Sequence, residues 1–173
     1  RITDLPAVLI DAKGDVLAWN HLATALLGDF SSWPAGQRNV AWQRFLGDGG
    51  RVAPDPGDDE STAVETVASL RYVAARYPDD PGLLRLVGEL RAGSPQFARL
   101  WEEGPIAERR SSRKTVLHPQ LGRLVLDCDS LLLPDVDQRL IVYSAAPGTP
   151  EADALALLRV VGLQDMTEPA PER

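Results

Sequence analysis

The stretch Ala7-Val8-Leu9-Ile10-Asp11-Ala12-Lys13-Gly14-Asp15-Val16-Leu17-Ala18-Trp19-Asn20 decides the fold. Two short apolar runs, Ala7 to Ile10 and Val16 to Trp19, flank a segment of turn formers. That pattern predicts a β-hairpin, with Gly14 at the position that needs a positive φ. Asn20 is the expected N-cap of a helix. Its side-chain oxygen can accept from the free amides of the first turn, and Leu22, Ala25 and Leu26 follow at helical spacing until Gly28.

Outward from the hairpin the periodicity turns helical. Asn39 can cap a short helix carrying Trp42, Phe45 and Leu46, and Gly47 to Asp59 is a loop rich in Gly, Pro and Asp. Ala63, Val67, Leu70, Ala74 and Tyr77 form one apolar stripe, and Leu83, Val87 and Leu90 another. Asp80-Pro81 and Ser94-Pro95 each place a capping residue before a proline at the first helical position. Strands return at Thr115 to His118, Arg123 to Leu133 and Leu140 to Tyr143. A last helix runs from Thr149-Pro150 to Gly162. The order is strand-strand, helices, three strands, helix. Hairpin and meander can share one sheet, so the expected class is α/β in the broad sense (α+β): a five-stranded antiparallel sheet with helices covering one face. Residues 1–162 form the expected domain and 163–173 a tail.

The 173 residues are 44% hydrophobic, enough for one core without a covalent staple. Cys128 is the only cysteine, which rules out an internal disulfide and a cysteine zinc site and fits a reducing compartment. The net charge of −7 makes a poor DNA surface, because DNA affinity comes largely from Lys and Arg neutralising phosphates. The basic run Arg109 to Lys114 reads as a solvated loop. No apolar run reaches the roughly 20 residues of a membrane span, and no signal peptide is visible. The opening at Arg1, without methionine, is what a fragment or a processed chain would show.

Catalytic constellations are not expected. The histidines are His21 and His118, and neither sits in a nucleophile motif. Asp55, Asp58, Asp59 and Glu60 lack calcium-loop spacing, and Gly47, Gly49 and Gly50 do not follow a strand as a phosphate cradle would. No metal or cofactor is expected. The aromatics Trp19, Trp42, Phe45, Tyr72, Phe97 and Trp101 fall near the expected sheet–helix junction. Two readings stand for them: ordinary core packing, or the wall of an apolar pocket with a few placed polar groups. Arg71, at the edge of the Val67 stripe, is either a fork for a carboxylate or a surface arginine lying along its stem.

Strand-turn-strand, helices and a three-stranded meander is also the order of PAS domains, whose opening hairpin Ile10 to Asn20 resembles. Ala7-Val8 with Trp19-Asn20, Leu70-Arg71, Pro78-Asp79-Asp80, Phe97-Ala98-Arg99-Leu100-Trp101, His118-Pro119 with Gly122, and Ala146-Pro147-Gly148-Thr149 follow one another in an order that resembles the MmyB-like regulators of actinomycetes. The match covers roughly residues 5–161. Those regulators join an N-terminal helix-turn-helix of the XRE type to a C-terminal PAS-like ligand-binding domain. The resemblance implies a cytoplasmic, dimeric transcription regulator whose C-terminal domain holds a fatty-acid-like ligand, with DNA contacted only through a helix-turn-helix outside this chain. Members often carry a histidine shortly after the tryptophan matching Trp101. Here Glu102-Glu103-Gly104 follows, so no histidine role carries over.

Together these readings give a sensor domain rather than an enzyme. The expected ligand site is Trp19, Phe45, Arg71, Tyr72, Phe97, Trp101 and His118, around a small amphipathic acid. The expected assembly is a homodimer, since Ala154 to Val161 carries more apolar surface than one face of a short helix needs. The alternative is a ligand-free dimerisation module of the same regulator.

Overall fold

The computed structural model describes residues 2–53, 59–104 and 112–164. β1 (Ala7–Ile10) and β2 (Val16–Trp19) form the expected antiparallel hairpin. Gly14 sits at φ +91°, and a Cβ there would approach Val40 Cγ2 to 2.8 Å, so conformation and space both require glycine. Asn20 caps α1 (His21–Leu27). Its Oδ1 accepts from the amides of Ala23 and Ala7, which ties the helix start to β1. Buried Asn39 caps α2 (Val40–Phe45) through the amides of Ala41 and Trp42, and donates to the Lys13 carbonyl and the Asp15 carboxylate.

The expected loop contains a strand the periodicity did not reveal, β3 (Val52–Ala53). Three helices follow: α3 (Asp59–Arg76), α4 (Pro81–Gly93) and α5 (Pro95–Glu103). Asp80 and Ser94 cap the last two as expected, accepting from the amides of Leu83 and Phe97. The meander is β4 (Ser112–His118), β5 (Gly122–Leu133) and β6 (Gln138–Ser144), and α6 (Pro150–Gln164) closes the described chain. The sheet is therefore six-stranded, in the order β2-β1-β6-β5-β4-β3, all antiparallel. The sixth strand exists because the outer edge of β4 needs partners: Val52 pairs with Val116, Ala53 with Thr115, and the Leu117 amide donates to the Arg51 carbonyl.

Other expectations shift. Tyr77 lies beyond the end of α3, exposed, with its hydroxyl on Asp137, while Val73 joins the buried stripe. Leu86 is buried where Val87 is only partly so. α6 continues through Gly162, whose propensity cost of about 1 kcal/mol does not stop a helix by itself. Arg113 and Lys114, expected in a loop, belong to β4, because Lys114 pairs with Leu126 in register. The residues 109–111 and the tail 165–173 lie outside the described residues.

Two apolar clusters result. One joins the inner face of the sheet to α1, Phe30 and Leu158 of α6. The other is wholly helical, with Val67, Leu70, Leu83, Leu90, Phe97 and Leu100 at its centre. Thr62, Glu65 and Thr66 on α3 face the first cluster while Ala63, Val67 and Leu70 face the second.

Candidate functional site

The sheet alternates side chains with period two, so one face collects Val8 and Ile10, Cys128 and Ser130, Ile141 and Tyr143. The register lines them up in rungs: Val8 opposite Ile141 opposite Ser130, and Tyr143 opposite Cys128. These rungs are the floor of a cavity of about 350 Å³. Its walls are Leu27, Phe30 and Trp33 on one side and Gln43, Arg44, Thr62 and Thr66 on the other, with Gly47, Gly49 and Gly50 at the rim. Gly50 has φ +61°, and a Cβ there would press on the Trp33 ring at 3.2 Å, so glycine lets the rim lie against that indole.

The polar groups are few and distinct. Burial pushes the Tyr143 phenol far above its usual range, and Cys128, hydrogen-bonded to it from the adjacent strand, adds to the shift; Tyr143 is thus a neutral hydroxyl on the floor. Arg51 donates from Nη1 to the carbonyls of Ala25 (2.9 Å) and Leu26 (3.2 Å), closing the C-terminus of α1. Lys114 Nζ donates to Thr62 Oγ1 at 3.2 Å. The Arg44 guanidinium carbon stands 5.7 Å from the Phe45 ring centroid. Asp48 and Glu65 also line the cavity, so its margin carries three cations and two carboxylates around an apolar floor, and a molecule with a long apolar part and one polar end fits that arrangement.

None of the residues expected to form the site lines this cavity. Phe45, Phe97 and Trp101 are brought together, with ring centroids 5.1 and 5.5 Å apart, but inside the helical cluster, where Phe97 is 0% exposed. Arg71 is exposed. It donates to the Trp101 carbonyl and stands 5.5 Å over the Trp101 ring, so it closes the end of α5 rather than facing a chamber. Tyr72, one residue further around α3, is 63% exposed. Trp19 packs against Phe30 at 5.3 Å on the outer side of the sheet cluster. His118 is buried and satisfied: Nδ1 accepts from the amides of Gln120 and Leu121, leaving Nε2–H to donate to the Ala25 carbonyl at 3.0 Å. Burial lowers its pKa, as does the nearby Arg51 charge, against the opposing effect of the Ala25 bond.

Among the cavity residues that the sequence reading did not single out are Phe30, Trp33, Arg51, Lys114, Cys128, Ile141 and Tyr143. The parity of β5 and β6 could have found the last three, since Cys128, Ser130, Ile141 and Tyr143 share a face once the register is known.

Among the described residues no group of His, Cys, Asp and Glu is placed to hold a metal ion. No described helix is long and apolar enough to cross a membrane. Residues 1–158 match the family described as the MmyB-like transcription regulator ligand binding domain. No curated protein matches the chain.

Proposed function

Because this chain belongs to the MmyB-like transcription regulator ligand binding domain family, we propose that it senses a medium-chain fatty acid, or a similar amphipathic acid, held in the cavity between the sheet and α2–α3. The observation that carries this reading is the cavity itself: about 350 Å³, floored by Val8, Ile10, Ile141 and Tyr143 and edged by Arg44, Arg51 and Lys114. That volume lies at the low end of the roughly 300–1,000 Å³ of ligand pockets, which favours a single alkyl chain of moderate length. Each buried methylene offers about 0.8 kcal/mol before the cost of ordering the chain. The domain binds and does not catalyse. It reports to DNA through a helix-turn-helix domain outside this chain, in the cytoplasm.

Thermal unfolding with a series of straight-chain acids tests this. At a hundredfold excess over Kd a bound acid adds about 2.7 kcal/mol, a rise in Tm of about 5–10 °C for a domain of this size. Ile141→Phe, which fills the floor, should abolish the rise while the variant still unfolds cooperatively. No rise for any acid in the series would end the reading.

A second reading concerns assembly. On α6, Leu157 is 50% and Val160 57% exposed, while Leu158 between them is buried. We propose that this outward strip pairs with its copy in a two-fold dimer. Light scattering at tens of micromolar should show twice the monomer mass, and Leu157→Glu should return it to monomer.

A further inference from the structure

The cations at the cavity margin are not equivalent. Arg51 is committed to the carbonyls of Ala25 and Leu26 at the end of α1, and drawing it away would take a donor from both, leaving Ala25 only the bond from His118. Arg44 lines the cavity with its guanidinium carbon 5.7 Å from the Phe45 ring centroid, a cation–π contact that a ligand head would have to compete with. Lys114 differs. Its ammonium carries three donors, and among the described residues its hydrogen bond is to the neutral Thr62 hydroxyl, with no described carboxylate in ion-pair range. It projects from β4 on the cavity face, half-buried, with donors to spare for an anion. Thr62 can accept from Lys114 and still donate its own proton. Thr66, one turn on, is already bonded to the Thr62 carbonyl, which holds the hydroxyl pair in place.

We propose that Lys114, backed by Thr62, is the anion anchor of the cavity, so that an acid lies with its head at β4 and its tail across β5 and β6 toward β1. This rests on the cavity being the ligand site. The sheet order makes the path continuous: from Lys114 the chain passes Cys128, then Tyr143 and Ile141, and ends against Val8 and Ile10. Three strand spacings of about 4.8 Å give a run of about 14 Å, room for an alkyl chain of about a dozen carbons. The charge-assisted bond to Lys114 supplies orientation and the preference for an acid over a neutral head. Glu65 and Asp48 also line the cavity and oppose any anion there, an effect about twice as large for a doubly charged head as for a carboxylate.

Calorimetric titration of dodecanoic acid and of dodecan-1-ol into wild type, Lys114→Met and Thr62→Val tests the anchor. Lys114→Met keeps the length of the stem and removes the charge. It should weaken acid binding about tenfold or more and leave the alcohol within about twofold of wild type. Thr62→Val should show the same selectivity with a smaller loss, and it carries the test by itself if Lys114→Met does not fold. Lys114→Arg should restore acid binding. Equal weakening of acid and alcohol by both variants, or no weakening of the acid, would overturn the anchor while leaving the cavity as the ligand site. A wild type that binds neither compound removes both.

Discussion

The molecule holds two aromatic trios of nearly the same composition. In the helical region Phe45 meets Phe97 edge to face, Phe97 stacks on Trp101, and Arg71 lies over the outer ring. On the sheet side Trp19, Phe30 and Trp33 also follow one another, tilted and then edge to face, with the Arg38 guanidinium carbon 5.6 Å from the Trp19 ring centroid. One trio fills a core; the other borders a chamber. The difference lies in what holds them. Phe97 is surrounded by residues at helical spacing on α3, α4 and α5, joined by turns that Asp80 and Ser94 fix tightly, so every neighbour can close onto it. Phe30 belongs to the sheet cluster with α1, but it and Trp33 are carried by short 3-10 turns and also border the cavity beside its glycine-bearing rim. Aromatics beside an arginine therefore do not by themselves tell a core from a pocket. The packing behind them does.

The largest expected effect is in the closed trio. Phe97→Ala empties a core position and should cost about 3–5 kcal/mol, seen as a large drop in the urea midpoint. While the protein remains folded, dodecanoic acid should bind it within about twofold of wild type. A substantial loss of acid affinity in that variant would mean the two regions are not separate.

Phe30→Ala should cost less, about 2–3 kcal/mol, because its ring already borders empty space and gives up fewer contacts. The enlarged chamber should move the preferred acid to a longer chain. A cost equal to that of Phe97→Ala would break the contrast between filled and open.

A smaller effect is expected from pH, and it should act on the sheet side. The folded pKa of His118 lies below its unfolded value of about 6.5, chiefly because the ring is buried. Above that value both states are neutral and the contribution is complete. As pH falls, the unfolded chain takes up the proton first and stability is lost until the folded pKa is passed. Between about pH 7.5 and about pH 5.5 the urea midpoint of wild type should fall more than that of His118→Gln. Equal falls would assign the acid sensitivity elsewhere.

The smallest effect should come from Arg71→Ala. An exposed cation over an aromatic face is worth about 0.5–1 kcal/mol, and removing it should leave the acid-to-alcohol preference of the domain unchanged. A clear loss of acid binding would restore Arg71 as the anchor and bring the helical trio back as the site.

Much of this architecture was written locally. The turn at Gly14 and the caps at Asn20, Asn39, Asp80 and Ser94 are made with residues within a few positions and could be read from neighbours alone, whereas the bonds of Asn20 to Ala7 and of Asn39 to Lys13 and Asp15 could not. The α+β class, the hairpin, the meander and the helical stripes follow from periods of two and 3.6, which are properties of the backbone itself. The resemblance carried by scattered residues along the chain pointed to the family that residues 1–158 match. Tertiary structure alone decided the rest. β3 is two residues long and exists only because β4 offers an unpaired edge. Phe97 and Phe30 are the same residue type, and only the assembled helices and sheet make one a core and the other a wall. Lys114 stands within reach of Thr62 although 52 positions separate them. A cavity is a gap between surfaces that are far apart in sequence, and no local pattern records where close packing stops.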